Sequence, residues 1–152
     1  MHIGIDGNLL CGKKTGMGTV VYSILRYWKG DDRNKITVFV PEKLDESFFN
    51  ILVHNRVNVK VYGYCNYFKW EQVILPRAVR EERVDVLWCP YNTAPLNVSC
   101  PMVVTVHDMI FMSLSLKGVV SLYKKAGVIY RRIIVPRAIK NADKVITISQ
   151  FA

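Results

Sequence analysis

The stretch PMVVTVHDMIF, residues 101–111, carries the most information about the fold. It begins as an apolar run rich in β-branched residues, which predicts a strand, and the run ends abruptly in His107 and Asp108. Because apolar and polar residues do not alternate along the run, we expect the strand to be covered on both faces, as in a parallel sheet. Polar residues directly after such a strand are typical of α/β domains that bind a ligand there.

Five further short runs have the same character, at residues 2–6, 36–40, 57–62, 85–89 and 144–148. Segments with helical spacing of apolar residues lie between several of them, at residues 15–28, 70–83 and 122–142. Pro76 and Pro136 are expected to interrupt the last two, and residues 41–56 are compatible with one short helix. Strands that alternate with helices predict a doubly wound, mostly parallel sheet with helices on both faces.

The composition is that of one globular domain. The chain has 152 residues, of which 51% are hydrophobic and 22% charged, so it has enough apolar material for a core of its own. Every apolar stretch is shorter than the roughly 18 residues of a membrane-spanning helix, and the N-terminus lacks the pattern of a signal peptide. The four scattered cysteines form no CxxC pair, which argues against a zinc site or a disulfide framework. We therefore expect a cytoplasmic protein without a metal.

The net charge of +9 is concentrated in the segment from 117 to 144. Asp143 is the one acidic residue there, against eight basic ones: Lys117, Lys124, Lys125, Arg131, Arg132, Arg137, Lys140 and Lys144. The apolar residues of its helix are expected to form one buried face: Leu122, Ala126, Ile129, Ile133 and Ala138. A basic surface attracts nucleic acid, anionic lipid or a phosphorylated substrate, or is simply a solvated helix face, and charge alone does not choose among these.

Polar or turn-forming residues follow several predicted strands. In a doubly wound sheet, ligands bind at the carboxyl ends of the strands, near the point where the strand order reverses. We therefore expect these residues to lie along one edge of the sheet: Asp6, Gly7 and Asn8; Pro90, Tyr91 and Asn92; His107 and Asp108; and Ser149.

A glycine pair, Gly16-Met17-Gly18, precedes the first predicted helix. Glycines allow close backbone approach, and the amides of a helix N-terminus attract anions. The pattern is not a dinucleotide fingerprint, because Val21 stands where the third glycine is needed, and GxxxxGK[ST] is also absent. The alternative is that these glycines only begin a helix and bind no ligand.

His107 and its neighbours allow two interpretations. A neutral imidazole at a strand end suits a hydrogen bond with a substrate hydroxyl, and Asp108 would orient it if the strand has ended, since adjacent strand residues point to opposite faces. The alternatives are a histidine that only packs and an aspartate that caps the next helix. Tyr91 and Asn92 are either ligand contacts or plain turn chemistry between Pro90 and Pro95.

Four stretches in this order resemble the N-terminal domain of retaining GT-B glycosyltransferases of family 4. They are IGIDGNLL…TGMGTVVYSIL, KWEQVILPRAVREERVDVLWCPYNTAPL, PMVVTVHDMIF and AIKNADKVITISQFA, and together they span nearly the whole chain. The resemblance implies that residues 1–152 form the Rossmann-like, acceptor-side half of a GT-B fold. The donor-binding C-terminal domain is expected to be absent from this sequence, so that these residues alone would be inactive.

The resemblance also implies an activity. It is the transfer of a hexose of glucose or mannose type from a nucleotide sugar to a hydroxyl of a glycan or lipid-linked acceptor in polysaccharide biosynthesis, with retention and without a cofactor or an essential metal. The basic segment 117–144 would meet anionic lipid at the inner face of the cytoplasmic membrane, and no nucleic acid is expected. The alternative is a non-catalytic binding or assembly module with the same fold.

Site roles follow from the same resemblance. Residues 16–18 would approach the donor diphosphate, and His107, with Asp108 beside it, would contact the donor sugar. The acceptor side of the cleft would be lined by five residues: Asp6, Asn8, Tyr91, Asn92 and Ser149.

Overall fold

A computed structural model describes residues 1–12, 16–30, 32–113 and 121–148 of the chain. Six strands form one sheet: β1 (His2–Asp6), β2 (Lys35–Val40), β3 (Val57–Val61), β4 (Val86–Cys89), β5 (Met102–Val106) and β6 (Lys144–Thr147). Their order is β3-β2-β1-β4-β5-β6, and every neighbouring pair is parallel. The predicted doubly wound α/β fold is confirmed, and each strand lies within one residue of its predicted limits. The order reverses between β1 and β4, which is where ligands bind in such sheets.

Helices connect the strands. They are α1 (Gly16–Tyr27), α2 (Glu46–His54), α3 (Tyr67–Lys69), a π-helical turn (Trp70–Ile74), α4 (Leu75–Glu81), α5 (Ile110–Ser113) and α6 (Leu122–Asn141), with a 3-10 turn at Asn8–Leu10. The helix considered for residues 41–56 is α2. It begins after Asp45, whose carboxylate accepts hydrogen bonds from the amides of Ser47 and Phe48 and so caps the first turn.

Two hydrophobic cores lie on opposite faces of the sheet. On β2, Val38 belongs to the core beneath α1 and α2, whereas the next residue, Phe39, belongs to the core beneath α4 and α6. This alternation follows from the two-residue period of a strand. Central strands such as β2 and β5 are therefore covered on both faces, as their apolar runs predicted, whereas all four residues of the edge strand β6 are exposed.

Pro76 lies in the first turn of α4, where the helix restarts after the π-helical turn. Just before it, the Leu75 N–H donates to the carbonyl of Trp70, five residues back. A proline has no N–H and its ring clashes with the carbonyl four residues earlier, so a wider turn relieves the clash. The extra residue also shifts the helical period: Trp70 and Val79 are buried, but Val73, which an unbroken helical period would place on the same face as Trp70, is exposed.

The predicted buried face of α6 is wrong. Of the five residues assigned to it only Ala138 is buried, while Leu122, Ile129 and Ile133 are 82%, 45% and 46% exposed. The buried residues of α6 are Val128, Ile134, Val135 and Ala138, of which Ile134 and Ala138 belong to the core with β4 and β5. At 3.6 residues per turn these four lie on the side of the helix opposite Leu122, Ala126, Ile129 and Ile133, so the predicted face points away from the core.

The predicted interruption of α6 at Pro136 is also wrong, because the helix continues through this residue. Pro136 is exposed, and the carbonyl that loses its partner can bond water on that side.

Candidate functional site

The carboxyl ends of β1, β4 and β5 lie side by side, and we call this part of the molecule the carboxyl edge. Neighbouring strands are about 4.8 Å apart, so the ends of β1 and β5 are separated by roughly 10 Å. Six of the residues singled out in the sequence are on or directly after these three strands: Asp6, Asn8, Tyr91, Asn92, His107 and Asp108. Ser149 lies outside the described residues.

His107 is half-buried and held at two points. Its ring Nε2 lies 2.9 Å from the carbonyl oxygen of Pro90, and its backbone N–H donates to Oδ1 of Asn92 at 2.8 Å. Because a carbonyl only accepts, the ring donates from Nε2, and Nδ1 of the neutral imidazole is left with a lone pair. The site therefore presents Nδ1 of His107 as a hydrogen-bond acceptor, because the contact with Pro90 selects the Nε2–H tautomer.

Asn92 joins the loop after β4 to the end of β5. Its amide oxygen accepts from the His107 N–H, and its Nδ2 donates to the carbonyl of Asp108 at 2.7 Å. The Asn92 side chain thus bonds the backbone of residues 107 and 108 as a neighbouring strand would, directly after β5 has ended. Its carboxamide is engaged in positioning His107.

Asp108 caps the turn that follows it. Its Oδ1 accepts from the N–H of Ile110 at 3.1 Å, at the start of α5. The His107 ring bonds the Pro90 carbonyl instead. The capping alternative for Asp108 therefore describes its contacts better than a histidine-aspartate pair does.

Asp6 is a buried carboxyl group beneath the carboxyl edge. Its Oδ1 accepts from Nε1 of Trp70 at 2.9 Å and from the backbone N–H of Asn8 at 3.1 Å. Its Oδ2 and the hydroxyl of Tyr91 are buried neighbours without a hydrogen bond of good geometry to each other or to another described residue. Burial raises the pKa of Asp6 to about 6, although the hydrogen bond from Trp70 opposes this rise.

A second buried carboxyl group, Glu71, lies in the π-helical turn and accepts four hydrogen bonds. Its Oε2 accepts from the hydroxyls of Tyr67 at 2.8 Å and Thr93 at 2.5 Å. Its Oε1 accepts from Nε2 of Gln72 at 2.8 Å and from the hydroxyl of Tyr130 at 2.5 Å. Burial raises the pKa of Glu71, and these donors oppose the rise.

Gln72 extends this network to the loop after β4. Besides Glu71, its Nε2 lies 3.3 Å from the carbonyl oxygen of Ala94 and 3.0 Å from the hydroxyl of Tyr130, so its two hydrogens are shared among three acceptors. Its Oε1 accepts from the N–H of Leu96 at 3.0 Å. In the sequence, Glu71 and Gln72 stand out only as part of the family resemblance. The signal that points to them is a pair of adjacent polar residues inside an otherwise apolar helical stretch.

The comparison with protein families decides the identity of this domain. The model of Glycosyltransferase Family 4 matches residues 14–152, most of the chain. The chain belongs to this family. No curated protein and no solved structure matches it. Membership confirms the resemblance to a family 4 N-terminal domain, and it gives the protein a sugar donor and an acceptor as partners.

The two glycines of this glycosyltransferase domain have different surroundings. A Cβ on Gly18 would lie 2.5 Å from the backbone carbonyl oxygen of Leu9, so α1 packs on the 3-10 turn Asn8–Leu10 only because Gly18 lacks one. A Cβ on Gly16 would have no atom of a described residue within 4 Å. Met17 between them is half-buried. Gly18 has a packing role, and a role of residues 16–18 toward a donor phosphate stays a prediction.

The basic residues of the glycosyltransferase lie along α6 and just beyond it. Most are exposed, namely Lys124, Arg131, Arg137, Lys140 and Lys144. Lys125 and Arg132 are half-buried, and Arg132 donates to the carbonyls of Phe111 and Met112 at the end of α5. Lys117 lies outside the described residues. In the described part of the chain, no helix combines the length and the apolarity needed to cross a membrane.

Proposed function

We propose that residues 1–152 form the acceptor-side domain of a retaining enzyme of polysaccharide biosynthesis. It transfers a hexose of glucose or mannose type from a nucleotide sugar to a hydroxyl of a glycan or lipid-linked acceptor, in the cytoplasm and without an essential metal. The nucleotide is held mainly by a second domain, so residues 1–152 alone turn over no donor. Family membership supports the transfer of a sugar, and the resemblance supports the finer assignments.

The observation that carries this proposal is the environment of His107. The imidazole stands at the carboxyl edge beside the point where the strand order reverses, with Nε2 engaged by Pro90 and a lone pair on Nδ1. Such a group accepts a hydrogen bond from a hydroxyl of the donor sugar and so fixes the pose of the reacting carbon. Asn92 holds the imidazole in place, and Asp108 fixes the turn after it.

The test is the substitution His107→Ala in the complete enzyme, assayed against a panel of nucleotide sugars. Loss of an oriented contact of this kind costs on the order of 100-fold in kcat/KM. The control is His54→Ala, which removes an exposed imidazole at the end of α2 and should leave the rate unchanged. Full turnover by His107→Ala would remove His107 from the reaction. Binding of a glycan without turnover of any donor would favour the non-catalytic module.

We also propose that α6 rests on an anionic membrane surface, where a lipid-linked acceptor would be found. Its exposed apolar residues Leu122, Ala126, Ile129 and Ile133 recur at helical spacing, and we call them the α6 stripe. The helix carries six Lys or Arg residues and no Asp or Glu. An apolar stripe among cations is the pattern of helices that lie in the interface of anionic membranes.

A further inference from the structure

We propose that Glu71 is a positioning residue for His107 and acts on it through the loop of residues 90–96. The consequence for catalysis rests on the proposed function, whereas the effect on the imidazole itself does not.

Both contacts that hold His107 come from the start of this loop. They are the carbonyl of Pro90, which bonds the ring, and the carboxamide of Asn92, which bonds the backbone. The orientation and tautomer of the imidazole therefore depend on where the loop lies. Pro90 and Pro95 have no N–H to donate, so the loop needs outside partners to be fixed.

Those partners come from the π-helical turn. The Thr93 hydroxyl donates to Glu71, while Gln72 bonds the carbonyl of Ala94 and the N–H of Leu96. Glu71 in turn orients Gln72 by accepting from its Nε2. The buried carboxyl group is thus connected with His107 in three steps. Glu71 bonds the Thr93 hydroxyl, Thr93 is covalently joined to Asn92, and Asn92 bonds the backbone N–H of His107.

The chemistry of Glu71 suits this role better than a purely structural one. A carboxylate has two oxygens that only accept, and here each accepts from two donors, so the ionised form is fully matched. None of the ion pairs among the described residues includes Glu71. A buried carboxylate without a cation destabilises the fold, and an apolar side chain of similar volume would pack there at less cost.

The tests are Glu71→Gln and Thr93→Val. Glu71→Gln keeps the volume but replaces an acceptor with an NH₂ group, so two of the four donors lose their acceptor. Thr93→Val removes the hydroxyl that donates to Glu71, and it tests the same connection if Glu71→Gln does not fold. The matched control is Glu81→Gln, on the exposed surface of α4, where the carboxylate pairs only with Arg77.

The first readout is the ¹⁵N NMR spectrum of the His107 ring, which reports its tautomer and its titration. We expect one Nε2–H tautomer in the parent protein and in Glu81→Gln, and a mixture in the two test variants, with circular dichroism showing that both are folded. A spectrum and titration identical to those of the parent in either folded test variant would overturn the proposal, because the loop would then hold His107 without Glu71.

The second readout is steady-state kinetics of the complete enzyme. Glu71→Gln should lower kcat roughly 10- to 100-fold, and it should add little to His107→Ala, because both changes remove the same contact. If the tautomer shifts while His107→Ala retains full turnover, the positioning link stands and the proposed function fails at His107. If the separate reductions in kcat of Glu71→Gln and His107→Ala multiply in the double variant, Glu71 does not act through His107.

Discussion

At the scale of single residues, burial gives Asp6 properties that its side chain does not have in water. The carboxyl group is almost completely buried, and its pKa of about 6 exceeds the ordinary value of 3.8. Between these two pH values the folded state binds more protons than the unfolded state, so stability falls as pH rises. A difference of this size corresponds to about 3 kcal/mol lost once the pH has passed the folded pKa.

The substitution Asp6→Asn should remove this loss. The amide keeps an oxygen for the Trp70 and Asn8 donors, and its NH₂ group can donate to the Tyr91 hydroxyl. Urea unfolding at pH 4.5 and 7.5 (about one and a half units on either side of the folded pKa) should give a smaller fall in stability for Asp6→Asn than for the parent.

The matched control is Asp32→Asn, in an exposed ion pair with Arg56, which should keep the parental pH dependence. Some dependence should remain in Asp6→Asn, since the pKa of Glu71 is raised by burial as well. An unchanged fall between the two pH values in Asp6→Asn would show that Asp6 does not titrate in this range.

The sequence predicted where the site residues stand but not what they contact. Placing Asp6, Asn92 and His107 at one edge required only parallel strands, because all such strands end on the same side. The bond from Trp70 to Asp6 joins residues 64 positions apart, and no local pattern specifies it. The carboxamide of Asn92 likewise bonds the backbone of His107 and Asp108, which follow a different strand.

At the scale of elements, the start of α1 offers a direct comparison of two glycines. Gly18→Ala would force a methyl group against the Leu9 carbonyl, a rigid backbone atom, so α1 must shift. We expect a loss of about 1–3 kcal/mol in the free energy of unfolding. Gly16→Ala places its methyl group in open space and should be neutral or stabilising by up to about 1 kcal/mol.

Urea unfolding of the two variants measures the difference directly. The two substitutions add the same methyl group within the first turn of α1, and only Gly18→Ala brings it against the Leu9 carbonyl. Equal free energies of unfolding for Gly16→Ala and Gly18→Ala would show that the 3-10 turn moves to accommodate the added methyl group. In that case the close approach of α1 to this turn does not require glycine.

Strands were predicted more accurately than helix faces, for physical reasons. A strand covered on both faces needs only a run of apolar, β-branched residues, which can be read locally. A helix face depends on what lies beneath it and on an unbroken period. The period breaks at the π-helical turn before Pro76, so Val73 is exposed although it stands at helical spacing from Trp70. In α6 the residues that pack on the core lie opposite the apolar stripe, so Ile133 is exposed as well.

At the scale of the whole molecule, the excess positive charge and the exposed apolar stripe of α6 lie on one surface. An apolar stripe on a helix normally faces the core, so the pattern alone does not predict an apolar surface among cations. In α6 the buried residues lie on the opposite side of the helix, which leaves the stripe exposed. The α6 stripe is exposed beside Lys125 and Arg137, on a chain with a net charge of +9.

The membrane proposal predicts sedimentation with vesicles that contain phosphatidylglycerol, at low but not at high ionic strength, and none with pure phosphatidylcholine. Ile129→Ser combined with Ile133→Ser should weaken binding, because it removes apolar area from the α6 stripe. Lys125→Gln combined with Arg137→Gln should weaken it by about 2 kcal/mol, roughly 30-fold, at about 1 kcal/mol for each cation. The matched control is Val53→Ser on α2, which removes an apolar side chain that is 56% exposed on a different helix. Equal binding to neutral vesicles, or parental binding by the double serine variant, would mean that α6 is a solvated helix and that the acceptor is reached from another surface.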